Sequence, residues 1–158
     1  MRHVLRLLVF GLVFAGSAVA QTSPTVEAAE DAYRDGRYGE AVRVLEAVIA
    51  AEPARAEAHY LLARVLRDEQ NPGRDDDRAG RALDRALELA PDNVVYLAAR
   101  LEHLRSRSSN FFQELYRRQQ RRSLATQLIA LDPDNGVAHE ELGVQALFDY
   151  YTYRNAIA

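Results

Sequence analysis

The stretch Tyr33-Arg34-Asp35-Gly36-Arg37-Tyr38-Gly39-Glu40-Ala41, with the apolar-periodic run that follows it through Leu45 and Val48 to Pro53, decides the fold. Gly36 can take the left-handed conformation that ends one helix, and Ala41 is small enough for close helix approach. Leu45 and Val48 fill the seam, and Pro53 stops the second helix. Together they make a helix hairpin that cannot bury its own apolar face. Such a unit needs neighbours, which means copies at a fixed period.

The copies are present. Ala41, Leu45 and Pro53 recur as Ala79, Leu83 and Pro91, and more weakly as Arg121, Ala125 and Pro133. The first helix of each unit repeats as His59, Leu62, Ala63, Leu66, then Leu97, Arg100, Leu101, Leu104, then His139, Leu142, Gly143, Ala146. These spacings resemble the tetratricopeptide repeat, with its W-x2-L-G-x2-Y, A-x3-F and P positions on a period of about 34 residues. The proline intervals are 91 − 53 = 38 and 133 − 91 = 42 residues, so the second and third units carry roughly 4 and 8 extra residues. The resemblance implies an all-α, right-handed helix-hairpin solenoid of about three hairpins plus a long C-terminal helix. It also implies a role in binding proteins and no catalysis.

Residues 1–20 read as a secretory leader. Arg2 and Arg6 form a basic head, Leu7 to Ala15 is an apolar run too short to span a bilayer, and Ala18-Val19-Ala20 before Gln21 is a small-x-small cleavage site. The expected mature domain is residues 21–158, periplasmic or secreted. Losing Arg2 and Arg6 changes the formal charge from −3 to 18 − 23 = −5. An acidic, exported chain is the wrong footprint for nucleic acid.

The chain has no cysteine, which excludes a disulfide framework, thiolate zinc sites and a cysteine nucleophile. No catalytic serine, histidine and acid combination has recognisable local context, and no glycine-rich loop follows a strand. The sequence therefore gives no reason to expect an enzyme or a cofactor. His59 and His139 share a repeat position and sit two units apart, too far to share an ion. Each is expected to fill a packing slot with a ring nitrogen bonded to a carbonyl or water, so no metal is expected. Asp75, Asp76 and Asp77 lack the alternation and glycine of a calcium loop and read as helix-start residues complementing the dipole.

Local chemistry places the helices. Ser23 is the expected cap of a first helix over about 24–35, and its partner runs to Glu52. A helix over about 55–69 ends before the Asn71-Pro72-Gly73 turn, and the next runs to Ala90. The extra residues of the third unit should lengthen both arms of its hairpin by about a turn each, with a tip near Arg107, Ser108 and Ser109. Asn110 and Gln113 fit a capping pair for the returning helix. On it Phe111, Phe112, Leu115 and Tyr116 point away from Leu124, Ala125, Leu128 and Leu131, so it either bends near Gln119 or presents two faces to different surroundings. Arg117, Arg118, Arg121 and Arg122 read as a solvated face paired with Glu114, Asp132 and nearby carboxylates; contact with a membrane surface is the less favoured reading. The last helix is expected over about Gly136 to Asn155. Its stripe Ala138, Leu142, Ala146, Tyr150, Tyr153 and Ile157 should cover the third hairpin, with Phe111, Phe112 and Tyr116 closing over the outer part. A patch left open there would be a contact for a partner, a second copy or more chain.

In the resembling family, first helices line a concave groove that receives peptides or partner helices. By position this groove would present Glu30 and Tyr33, then Tyr60, Arg64 and Arg67, then Glu102 and Arg105, then Glu140. Arginine beside tyrosine is a combination that dominates binding energies. The lysines and asparagines of the family's carboxylate clamp are missing from these positions. The reading is a non-enzymatic interaction scaffold in a bacterial envelope, with a protein or peptide partner. The alternatives are the N-terminal module of a longer exported protein and a peripheral adaptor at the membrane surface.

Overall fold

The computed structural model describes residues 24–106 and 111–156. Ser23, the leader, the hairpin tip with Asn110, and Ile157 lie outside the described residues, as do the side chains of Phe111 and Phe112. Among the described residues there are seven helices and no strand: α1 Val26–Arg34, α2 Tyr38–Ala51, α3 Ala56–Arg67, α4 Asp76–Leu89, α5 Val94–Arg105, α6 Phe111–Leu131 and α7 Gly136–Ala156. This is an all-α stack of helix hairpins, as the periodicity requires.

Each hairpin closes for a stated reason. Gly36 has φ +74° and ends α1; the Arg37 N–H reaches the Ala32 carbonyl at 2.8 Å and the Gly36 N–H the Tyr33 carbonyl at 3.0 Å. A side chain at position 36 would strain that backbone by about 1 kcal/mol. Thr25, not Ser23, caps α1: its hydroxyl accepts from the Ala28 N–H at 3.1 Å. The helix therefore starts two residues later than expected, which puts Val26, Ala29 and Ala32 on the buried side. In the longer turn between α3 and α4, Asn71 is buried. Its amide donates to the Val65 carbonyl at 2.7 Å and accepts from the Gly73 N–H at 2.8 Å, replacing the backbone bonds that a short turn would supply. Asp75 then caps α4 through the Arg78 N–H at 2.9 Å, and Asn93 caps α5.

Consecutive helices pack along the whole chain, and the first helices of neighbouring units also meet, α1 with α3 and α5 with α7. The second helices α2 and α4 stand further apart, bridged by the Arg78–Glu46 ion pair. That difference makes α1, α3, α5 and α7 the inner face of the array. Ala41, Leu45 and Val48 are fully buried with Val26, Ala58, Leu66 and Leu83, and a second apolar cluster joins Leu97, Leu101, Ala125, Leu128 and Ala138. The slot six residues after each proline is filled as the repeat predicts. His59 Nε2 donates to the Pro53 carbonyl at 3.0 Å and His139 Nε2 to the Pro133 carbonyl at 2.7 Å, while Leu97 fills it in the middle unit.

The third unit departs from expectation in two ways. The α5 helix has 12 residues, as α3 does, whereas α6 has 21. Among the described residues the added helix length lies in the returning arm, and α5 ends at Arg105 with the Ser106 hydroxyl donating to the His103 carbonyl at 3.1 Å. The α6 helix runs uninterrupted from Phe111 to Leu131 with Leu115 and Tyr116 exposed, so its two faces meet different surroundings. The α7 helix spans the expected residues, but its outer half is turned the other way. Ala138 is buried, whereas Ala146, Tyr150 and Tyr153 are exposed. The inward side carries Glu141, Gln145 and Asp149 instead, four residues apart on one face.

Candidate partner-binding groove

Tyr33 ends α1, Tyr60 and Arg64 lie one turn apart on α3, and Tyr96 sits in the first turn of α5. Their side chains form one strip on the inner face. The exposed Arg64 guanidinium lies 5.5 Å from the Tyr33 ring centre and 5.8 Å from that of Tyr60. Tyr60 in turn stacks on Tyr96, ring centres 4.8 Å apart at 29°. The Tyr33 hydroxyl donates to Asp68 at 2.7 Å, and Tyr38 packs edge-on against its ring at 5.9 Å. Burial first, then the charges of Glu57 and Tyr60, hold the Tyr96 phenol above its ordinary value. The strip is therefore neutral aromatic surface around one cation. Among the described residues no ion pair joins Arg64 to Glu30 or Glu102, so the guanidinium is oriented by rings and not spent on a carboxylate.

The eight positions placed in the groove separate into groups. Glu30, Tyr33 and Arg64, with Arg34 and Leu61, line a cleft of about 180 Å³, and Tyr60 extends it toward α5. Arg67 bridges two units, its guanidinium donating to the Ala99 carbonyl at 3.2 Å. Arg105 and Glu140 also join neighbouring helices, at 3.2 Å, and that contact holds the Glu140 carboxyl below its usual range. Glu102 stands exposed on α5. Tyr96 was missed because it reaches Tyr60 diagonally, from a different position of its repeat; the signal was an aromatic in the first turn of the next inner helix.

The arginines of α6 are engaged. Arg121 binds Glu114 at 2.8 Å and Glu141 at 3.0 Å. Arg118 pairs with Asp149, lies 4.2 Å over the Phe148 ring and bonds the Gln145 carbonyl, and Arg122 reaches Asp149 at 3.6 Å. The carboxylates come mainly from α7, with Glu114, and Asp132 is occupied by the Asn135 amide. Larger clefts lie elsewhere, among them one of about 690 Å³ among α4, α5 and α6 and one of about 420 Å³ among α2, α3 and α4. Among the described residues no group of three or more metal-ligating side chains converges, and no helix is long and apolar enough to cross a membrane.

A stack of helix hairpins in which each unit packs on its neighbours belongs to the class of helical repeat proteins. Residues 32–101, from α1 into α5, match the family model described as Tetratricopeptide repeat, so this segment carries tetratricopeptide repeats. Repeats of this family serve generally as protein-interaction modules and form a generally non-enzymatic scaffold class. No curated protein matches the chain.

Proposed function

We propose that this chain is a non-enzymatic interaction scaffold of a bacterial envelope, exported by its leader, that holds a peptide or protein partner in the groove of α1, α3 and α5. The observation that carries the reading is the Tyr33, Arg64, Tyr60, Tyr96 strip. Rings held rigid by stacking bind at low entropic cost, and a cation between them selects a segment with a carboxylate beside an apolar or aromatic side chain. The basic head, short apolar run and small-residue site of residues 1–20 support export; an intact mass beginning at Gln21 supports that part, and retention of Met1 to Ala20 rejects it.

A random-peptide display library selected on the chain tests the groove. Enriched peptides should carry acidic residues next to apolar ones. They should lose about tenfold or more in affinity to Arg64→Ala and to Tyr60→Ala, with helix content unchanged. Peptides that bind both variants as well as the parent chain place the binding surface elsewhere.

A further inference from the structure

The outer half of α7 is built inside out. Its polar side chains Glu141, Gln145 and Asp149 face α6, where Arg121 and Arg118 receive them. Its apolar side chains Val144, Leu147, Tyr150, Tyr151 and Tyr153 face away, and Phe148 lies at the edge of that face with the Arg118 guanidinium over its ring, each of the six 57–69 % exposed. Six of the ten large apolar residues exposed among the described residues thus lie on one helix, which is a contiguous patch and not scattered surface.

We infer that this face is the seat of a second copy of the chain, packed antiparallel across a two-fold axis near Asp149. Stepped at 100° per residue, Val144, Leu147, Tyr151 and Arg154 form a seam at spacings of three, four and three, with Phe148 and Tyr150 on its flanks. The order is symmetric about Asp149. Phe148 and Tyr150 lie one residue either side, Leu147 and Tyr151 two, Val144 and Arg154 five. In an isologous antiparallel pair each of these residues meets its counterpart on the other copy, so Leu147 packs on Tyr151 and Val144 receives the Arg154 stem. The two Arg154 charges then stand about 15 Å apart along the axis, beyond the screening distance of physiological salt.

Charge and area agree with that occupant. Asp149 is neutralised within its own chain by Arg118 and Arg122, so identical faces meet without opposed carboxylates. The five apolar side chains of the seam and its flanks leave roughly 600 Å² open, at the lower end of what a specific interface buries per partner. The ion-paired seam with α6 fixes the helix, so the face is formed before association.

Sedimentation velocity across the micromolar range tests this on the full chain and on Leu147→Glu, a helix-compatible change at an exposed position. The parent chain should be dimeric, and Leu147→Glu should raise the dissociation constant about tenfold or more with helix content unchanged. A monomeric parent chain, or a variant that dimerises as well as the parent, overturns the inference. Because the chain has no cysteine, Tyr151→Cys gives a second readout should Leu147→Glu unfold. Covalent dimers with a short bis-maleimide at position 151, and none with Ala47→Cys on α2, support the seam; equal yields or no crosslink reject it. A monomer that floats with phosphatidylglycerol vesicles also rejects it, in favour of a lipid surface.

Discussion

Tyr33 at the end of α1 donates a 2.7 Å hydrogen bond to Asp68 at the end of α3, tying the first inner helix to the second. The bond holds the Asp68 carboxyl below its usual range, with the Gln70 N–H helping. A depressed carboxyl contributes stability that is fully present above its unfolded value and is lost as pH falls through its folded value. Tyr33→Phe keeps the ring beside Arg64 and removes only the hydroxyl. It should cost about 1 kcal/mol at neutral pH, given the partial exposure of the pair. The cost should vanish at pH values below the folded value of Asp68, where the carboxyl is protonated in both states. At the alkaline end Tyr33, raised by burial first and by Asp68 second, loses its contribution as pH climbs through its folded value. Urea titrations of both proteins across pH measure all three regimes; a pH-independent difference rejects the linkage.

Arg64 and Arg67 lie on the same helix but do different work. The Arg67 bond to the Ala99 carbonyl is part of the α3 to α5 contact, so Arg67→Ala should destabilise by about 1–2 kcal/mol and lower the melting temperature by several degrees. The exposed Arg64 loses only its contacts to two rings, so Arg64→Ala should cost less than about 1 kcal/mol. Thermal unfolding of the two variants ranks them; equal losses would mean that Arg64 is structural too.

The repeat was legible because its signals are local: Gly36 for the turn, Ala41 and Leu45 for the seam, Pro53 and Pro133 for the stops. Even the hydrogen bonds of His59 and His139 follow from their shared offset from those prolines. Side-chain pairing between helices was less legible. Arg67, Arg105 and Glu140 looked like groove residues because sequence position gives the face but not the reach of a long side chain to the next unit. The orientation of α7 was misread because both of its faces carry residues at helical spacing. The apolar set was the natural choice for the inside, until Arg118 and Arg121 on α6 are seen to require Asp149 and Glu141 opposite them.

Two helical glycines should respond to alanine with opposite signs. A Cβ on Gly80 would stand 2.9 Å from Nε2 of His103, a buried ring with little room to move, and 3.5 Å from the Arg100 guanidinium. Overpacking of about 1–3 kcal/mol should outweigh a helix-propensity gain of about 1 kcal/mol. On α7, Gly143 has nothing within 4 Å of that position, so Gly143→Ala should stabilise by about 0.5–1 kcal/mol. Chemical denaturation of both variants checks the pair.

Arg121 stands at the repeat position that Ala41 and Ala79 fill with fully buried methyl groups. A guanidinium there forbids the usual close approach, and the neighbouring helix answers with Glu141, whose side chain is 5 % exposed, against 13 % for Arg121. Glu141 also approaches Arg105 at 3.6 Å and accepts from the Gln145 amide at 2.6 Å, so it is the hub that joins α5, α6 and α7. Removing one partner of a buried pair leaves an uncompensated charge, at a cost of about 3–5 kcal/mol. Glu114 remains on Arg121 and Glu140 on Arg105, which places Glu141→Ala at the lower end, about 3 kcal/mol. Glu141→Gln keeps the shape and should cost about half as much. Replacing both partners, Arg121→Leu with Glu141→Leu, removes the desolvation cost along with the attraction and should be near neutral. Urea denaturation of Glu141→Leu, Arg121→Leu and the double change gives the coupling energy directly, with Glu141→Ala and Glu141→Gln measured alongside. A Glu141→Ala loss below about 1 kcal/mol would mean that water reaches the pair, and that packing at Leu128 and Ala138 holds α7 by itself.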